Sequence, residues 1–132
     1  MEENNSSYVI DSSFILAHLL PDETSNNVQK FFDRLKKEPI ILVAPYIFPF
    51  EVFNGIQTAV IRKRITVNLA KKLGEKFLKL AVKLEEVNLL KVASIAQSQS
   101  LTIYDASYVY LAENLNIPFL TLDEKIKKLS KT

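Results

Sequence analysis

The pattern of hydrophobic and polar residues along this chain alternates between short apolar runs, typical of strands, and the three-to-four-residue spacing typical of helices. Tyr8-Val-Ile10 is a short β-branched and aromatic run, and Ile40-Ile-Leu-Val43 is apolar at every position, as in strands that are buried on both faces. A third apolar run extends from Ile117 to Leu122. The pattern therefore predicts three strands that are separated by helical segments.

Between these runs, apolar residues recur at intervals of three and four, which is the spacing of amphipathic helices. Short helices are predicted over Phe14 to Leu20 and after the capping residues Asp22 to Ser25. The clearest periodicity, with leucines opposite lysines, predicts one long helix from Thr66 to Leu84. Further helices are predicted over Val87 to Gln97, over Ile103 to Asn114 and at the end of the chain.

Prolines constrain the helix that should carry Glu51. Pro45 suits a helix N-terminus, and Pro49 is compatible with a helix only in the first turn, where backbone N–H groups are free. This helix is therefore expected to begin near Pro45. Strands that alternate with helices predict an α/β fold, with a mostly parallel central sheet and helices on both faces.

Composition narrows the possible function classes. A chain of 132 residues, 48% hydrophobic and 24% charged, fits one packed globular domain. The absence of cysteine excludes disulfides, thiolate zinc sites and cysteine nucleophiles, and two glycines cannot form a glycine-rich phosphate loop. A net charge of +2 is too small to indicate nucleic-acid binding by itself.

The N-terminal residues and the longest apolar run indicate whether the protein is secreted or inserted in a membrane. Residues 1 to 7 are acidic and polar, unlike the basic start of a secretory signal, and are expected to be frayed, so the predicted domain spans residues 8 to 132. The longest apolar run, Ile40 to Phe50, is about half the length of a bilayer-spanning helix and contains two prolines. We expect a cytoplasmic protein without a membrane segment.

Four acidic residues are candidates for one site. Asp11 and Asp123 follow predicted strands, and Asp105 opens the helix that continues from Ala106, so each could equally be a helix N-cap. Glu51 has mostly apolar or small neighbours three and four positions away, which favours an inward orientation over a partly exposed one. Since functional groups gather at the carboxyl ends of parallel strands, the joint pattern predicts a cluster.

Such a cluster suggests a chemistry. Converging carboxylates repel one another, and protons or hard divalent cations relieve the repulsion. Mg²⁺ or Mn²⁺ is therefore the expected ligand. A bound cation of this kind polarises a phosphate and lowers the pKa of its water, as phosphodiester hydrolysis requires.

Four segments resemble, in the right order, the signature of the PIN-domain family and look most like VapC-type toxins. They are Val9-Ile-Asp11-Ser-Ser13, Phe50-Glu51-Val-Phe-Asn54, Tyr104-Asp105-Ala-Ser-Tyr108 and Thr121-Leu-Asp123. The similarity covers roughly residues 8 to 129, and the combined pattern is far more specific than any single acid.

The resemblance implies an α/β/α sandwich that cleaves single-stranded RNA with an activated water. It implies that Mg²⁺ or Mn²⁺ is bound by Asp11, Glu51, Asp105 and Asp123. It also implies hydroxyl groups near the metal at Thr121 and Ser12. The resemblance also implies homodimers. For VapC-type members it further implies a cognate antitoxin, which is encoded alongside and blocks the site.

Basic, aromatic and imidazole side chains give further hypotheses. Arg62, Lys63 and Arg64 could attract RNA phosphates or form a solvated surface. Three tyrosines could stack on bases or belong to the core: Tyr104, Tyr108 and Tyr110. His18 has no second histidine or cysteine for a zinc site or dyad and is expected to be structural.

Three other functions stay open from the sequence. A PIN-like module could bind RNA or protein without cutting, although retention of four acids argues against it. An RNA-maturation nuclease without an antitoxin is an alternative within the nuclease class. A response-regulator-like domain would carry adjacent acids after the first strand, where Ser12 and Ser13 stand here.

Overall fold

A four-stranded parallel sheet forms the centre of the computed structural model, which describes residues 6–129. The strands are β1 (Ser6–Ile10), β2 (Ile40–Pro45), β3 (Val82–Glu85) and β4 (Phe119–Leu120). Their order is β3-β2-β1-β4, and every neighbouring pair is parallel. The chain thus moves outward from β1 to β3 and then returns to the other side of β1.

Seven helices are described. They are α1 (Ser12–Leu19), α2 (Asn26–Leu35), α3 (Phe48–Ile61), α4 (Val67–Leu78), α5 (Leu89–Gln99), α6 (Ile103–Leu115) and α7 (Glu124–Leu129). Right-handed crossovers place α1 to α4 on one face of the sheet and α5 and α6 on the other, because the direction of travel reverses after β3. The packing of α1 on α3 and of α5 on α6 agrees with this. The predicted three-layer α/β/α fold with a parallel sheet is confirmed.

The core holds the segments around the predicted site in place. Val9 and Ile10 of β1 are fully buried, so the end of this strand is fixed at the centre of the sheet. On α3, Phe48 and Val52 are also fully buried and lie on either side of Glu51 in the first turn. Burial of each such side chain contributes roughly 1.5–3 kcal/mol, which anchors both segments.

The long helix predicted from Thr66 to Leu84 is wrong beyond Leu78. The N–H of Leu80 donates to the carbonyl of Phe77 in a closing turn, and residues 82–85 then pair with β2 as an edge strand. Leucines four apart fit a helix, but Val82 and Leu84 also fit the alternation of a strand. Pairing with β2 decides between the two patterns, and such a non-local contact is invisible in a local window.

Several boundaries differ from the sequence-based expectation. The helix carrying Glu51 begins at Phe48 rather than near Pro45, because Pro45 is the last residue of β2, where it lies opposite Glu85. Pro49 lies in the first turn, as expected. The late strand expected over residues 117–122 is reduced to Phe119–Leu120.

The N-terminal boundary also differs. Ser6 and Ser7 were expected in the frayed end, but they pair with Ile40 and Ile41, since a strand ladder is made by backbone groups. The rest of that expectation, residues 1–5, lies outside the described residues. Within the described part of the chain, no helix is long and apolar enough to cross a membrane.

Candidate active site

The predicted site lies where the strand order reverses, at the carboxyl ends of β1 and β4. Ile10 pairs with Leu120, and the N–H of Asp11 donates to the carbonyl of Leu120 at 3.2 Å. Asp11 and Thr121, the next residue of each segment, are therefore neighbours. In open α/β sheets this reversal point is the usual position of a ligand site.

Asp11 is buried and receives three hydrogen bonds. It caps α1, with Oδ1 accepting from the N–H of Phe14 at 3.1 Å. The hydroxyl of Ser13 donates to the same oxygen at 2.6 Å, and the hydroxyl of Thr121 donates to Oδ2 at 2.5 Å. Asp11 is thus both the N-cap that one reading of the sequence predicted and the centre of a wider network.

The protons of the two hydroxyls are oriented by the backbone. Oγ of Ser13 accepts from the N–H of Leu122 at 2.9 Å, and Oγ1 of Thr121 accepts from the N–H of Asp123 at 3.0 Å. A hydroxyl has a single proton, so each directs that proton at Asp11. Burial raises the pKa of Asp11 above its usual range, and the hydrogen bonds from Ser13, Thr121 and Phe14 oppose that rise.

Asp123 and Asp105 approach the site from the starts of two helices. Asp123 caps α7, with Oδ1 accepting from the N–H groups of Lys125 at 2.9 Å and Ile126 at 3.3 Å. The helix α6 begins at Ile103, as predicted, so Asp105 lies in its first turn and is not the N-cap that one interpretation of the sequence allowed. The cap is Thr102, whose hydroxyl oxygen accepts the N–H of Asp105 at 3.0 Å.

Glu51 is held by a tyrosine from the opposite helix layer. It is half-buried in the first turn of α3, and the hydroxyl of Tyr108 donates to its Oε1 at 2.7 Å. Tyr108 is itself buried, and its ring stacks on Phe119 with centroids 5.9 Å apart. Burial raises the pKa of Glu51, the hydrogen bond from Tyr108 lowers it, and the charges of Asp105 and Asp11 raise it further.

The electrostatic interactions connect all four carboxylates through Asp105. Burial raises the pKa of Asp105, and the charge of Asp123 raises it further. The charge of Asp105 in turn raises the pKa of both Asp11 and Glu51. Four acids from widely separated segments therefore lie near enough to repel one another, at one edge of the sheet.

The donor set is of a kind that fits a hard cation. Its members are carboxylate and hydroxyl oxygens, which Mg²⁺ and Mn²⁺ prefer, and the chain has no cysteine to compete. As the side chains stand, no three His, Asp or Glu residues in the described part form a group that could hold a metal ion.

The two predicted hydroxyls have different positions. Thr121 contacts Asp11, as described above, whereas Ser12 makes no hydrogen bond to the site among residues 6–129, and its role stays a prediction. Ser13 makes the contact instead. The sequence suggested Ser13 only as an alternative cap, because its contact with the β4 segment depends on the register of β1 and β4.

The predicted basic cluster lies away from the carboxylates. Arg62, Lys63 and Arg64 follow the C-terminal end of α3, and 11 residues of helix put Arg62 about 16 Å from Glu51 along the axis. Arg64 forms ion pairs with Asp22 and Glu23, each at 2.6 Å. Its charge is therefore partly neutralised, and the RNA-binding role of the cluster stays a prediction.

His18 has the environment expected of a structural residue. Its ring stacks on Phe32 with centroids 3.9 Å apart, and its Nδ1 is 3.0 Å from Oε1 of Gln29. Burial lowers the pKa of His18, so the neutral ring is favoured.

Comparisons with known proteins bear on the same features. A family model described as PIN domain matches residues 8–132. The chain belongs to the PIN-domain family. A curated relative, ribonuclease VapC3 of Pyrobaculum aerophilum, is 27% identical over 118 residues, covering 89% of this chain and 90% of the relative. This agrees with the resemblance to VapC-type members and excludes the response-regulator alternative.

Two solved structures share the PIN fold with this chain. PAE2754 from Pyrobaculum aerophilum has a TM-score of 0.73 at 23% identity, covering 96% of this chain and 88% of that one. VapC20 of Mycobacterium tuberculosis, described as a Sarcin-Ricin loop cleaving toxin, has a TM-score of 0.63 at 13% identity, with 92% and 94% coverage. At these identities the structures support the fold alone.

Proposed function

We propose that this PIN-domain protein is a Mg²⁺- or Mn²⁺-dependent endoribonuclease that hydrolyses phosphodiester bonds of single-stranded RNA. The observation that carries the proposal is the geometry at the reversal point of the sheet, where Thr121 binds Asp11 and the N–H of Asp123. The directions of the pKa shifts of Asp11, Glu51 and Asp105 agree with it. The relative named ribonuclease VapC3 supports the reaction class. Carboxylates that destabilise one another are suited to a divalent cation, which removes the repulsion.

The proposed cation ligands are the four carboxylates. Both lone pairs of Oδ1 of Asp11 are engaged by Ser13 and Phe14, whereas Oδ2 accepts from Thr121 alone and keeps one lone pair. Asp11 would therefore bind through Oδ2. A bound cation of this kind supplies charge stabilisation to the phosphate and lowers the pKa of its water.

The surrounding residues orient the reacting groups. The hydroxyls of Ser13 and Thr121 hold the Asp11 carboxylate in one orientation, which avoids reorganisation during the reaction. Tyr108 donates to Oε1 of Glu51, so Oε2 is the atom proposed to face the cation.

The same proposal makes the protein the toxin of a toxin–antitoxin pair in the cytoplasm, with a cognate antitoxin that blocks the site. Support comes from the curated relative, whose name, ribonuclease VapC3, belongs to the VapC type. Co-expression with the protein encoded beside it should restore growth that the toxin alone stops. An RNA-maturation nuclease would instead be tolerated without that protein.

Homodimerisation is also part of the proposal. Helices α3 and α4 expose large apolar side chains that a second copy would cover, among them Phe50, Ile61, Val67 and Leu78. Light scattering should give a mass of twice 15.1 kDa. A mass of 15.1 kDa at micromolar concentration would remove this part of the proposal.

The nuclease proposal is tested with a fluorescent single-stranded RNA and the purified protein. We expect cleavage with Mn²⁺ and none with a chelator, and a loss of about 10²–10³-fold in kcat for Asp105→Asn. The matched control is Glu113→Gln, an exposed glutamate of the same helix, which should cleave at the native rate. Intact RNA with the native protein would favour a non-catalytic binding module, and equal cleavage rates for Asp105→Asn and native would exclude Asp105 from the catalytic site.

A further inference from the structure

A small apolar cavity opens beside the carboxylates. It has a volume of about 210 Å³ and lies between the ends of β2 and β3 and the start of α6. Its walls include Tyr46, Ile47, Leu89, Ile103 and Tyr104, and the carboxylate of Glu85 also lines it. Tyr104 is 57% exposed and Tyr46 is 56% exposed, so both rings offer surface to a ligand.

The cavity adjoins the side of the site formed by Asp105 and Glu51. Tyr104 immediately precedes Asp105, and consecutive Cα atoms are about 3.8 Å apart. Tyr104 and Tyr108 lie four residues apart on one face of α6, and Tyr108 holds Glu51. Residues 46–47 lead directly into α3, which carries Glu51. The walls of the cavity are therefore built in part by the same two chain segments that carry Asp105 and Glu51.

The chemistry of the walls suits a base better than a phosphate. None of the described residues that line the cavity is a lysine or arginine, so it has no cation to attract a phosphate. An exposed aromatic ring offers a stacking surface for a base. Glu85 adds a hydrogen-bond acceptor, and its ion pair with the exposed Lys83, at 3.2 Å, is of a kind that contributes little.

These observations favour RNA over a protein segment as the occupant, because aromatic surface and acceptor lie next to the proposed hydrolytic site. We propose that the cavity is a subsite for one nucleobase of the RNA, with Tyr104 stacking on the base and Glu85 accepting from its amino group. Adenine, cytosine and guanine carry such a group, whereas the N–H donor of the uracil ring lies between two carbonyl oxygens that a carboxylate repels, so the subsite disfavours uracil. This inference rests on the proposed ribonuclease function.

The test follows Mn²⁺-dependent cleavage of a random octamer RNA library by sequencing, and then steady-state kinetics on one octamer that the native protein cleaves. The native protein should cut less often beside uracil, and Glu85→Ala, which removes the acceptor, should lose that preference. Tyr104→Ala should raise KM by about tenfold or more, with kcat changed less than about twofold. Tyr104→Phe, which keeps the ring, should recover the KM that Tyr104→Ala loses.

The matched control is Leu115→Ala, which truncates an exposed apolar side chain at the other end of α6 that does not line the cavity, and its KM should equal the native value. Cleavage by the native protein together with an unchanged KM for Tyr104→Ala would overturn the subsite and leave the ribonuclease intact. In that case a protein partner, rather than a nucleobase, would be the expected occupant of the apolar cavity. A native protein that cleaves no RNA would overturn both proposals.

Discussion

Tyr108→Phe tests how the fold holds Glu51. The hydroxyl of Tyr108 donates to Oε1 of Glu51 at 2.7 Å, and the tyrosine side chain is only 1% exposed. Burial and the nearby carboxylates raise the pKa of Tyr108, so its hydroxyl stays protonated and acts as a donor. Phenylalanine keeps the ring that stacks on Phe119 and removes only that donor.

The size of the effect follows from the partial exposure of Glu51. A hydrogen bond to a charged group contributes about 1.5–3 kcal/mol, and the half-buried carboxylate recovers some of this from water. We therefore expect the free energy of unfolding to fall by about 1 kcal/mol. For a chain of this size that corresponds to a decrease of about 4 °C in Tm.

The same substitution should change the pH dependence of RNA cleavage. The hydrogen bond from Tyr108 lowers the pKa of Glu51, so its loss raises that pKa. Because Glu51 must be ionised to hold the proposed cation, the acidic limb of the kcat profile should move to higher pH in Tyr108→Phe. The control is Tyr110→Phe, on the same helix, whose hydroxyl makes no hydrogen bond within residues 6–129. A native-like Tm and an unmoved acidic limb for Tyr108→Phe would refute this role.

Three further predictions concern the network and its surroundings. Thr121→Val leaves Asp11 without one donor and the N–H of Asp123 without its acceptor, so chemical denaturation should show a loss of about 2 kcal/mol that Thr121→Ser largely avoids. Burial and the charge of Asp123 raise the pKa of Asp105 above 3.8, so the folded protein binds the proton of this carboxyl more tightly than the unfolded chain does. The stability that this protonation contributes is complete below pH 3.8 and is lost as the pH rises through the pKa of the folded state. In chelator at pH 7, Asp105→Asn should therefore melt above the native protein, and the difference should close towards pH 4; a lower Tm at pH 7 would contradict the repulsion. Arg64→Ala should leave KM for RNA within about twofold, because Asp22 and Glu23 already pair with that charge; a large rise in KM would assign it to RNA binding.

The central elements of the fold were predictable because local pattern and tertiary context agree in them. β1 and β2 are unbroken apolar runs, and α2 combines the helical spacing of its apolar residues with a capping residue, Ser25. β3 was not predictable from Lys79 to Glu85, where helical and strand periodicities coincide and the neighbouring strand decides. The two-residue length of β4 likewise depends on its pairing with Val9 and Ile10.

In the candidate site, too, the residues that follow a local pattern were predictable and those that depend on distant contacts were not. The positions of Asp11 and Asp123 were predictable, because each follows an apolar run that forms a strand and ends at the carboxyl side of the sheet. Asp105 is not the N-cap that one interpretation of the sequence allowed, since Thr102 is the actual cap. The roles of Ser13 and Tyr108 were not predictable, because each contacts a residue from a distant segment.

The most direct test of the account is the binding of Mn²⁺ to the purified protein, measured by calorimetry. Binding must draw the four carboxylates together against their mutual repulsion, and Asp105 interacts with each of the others. We predict saturable binding to the native protein and to Glu113→Gln, with at least about tenfold weaker binding to Asp105→Asn. No binding to the native protein, or equal affinity for Asp105→Asn, would contradict the claim that these carboxylates form a metal site.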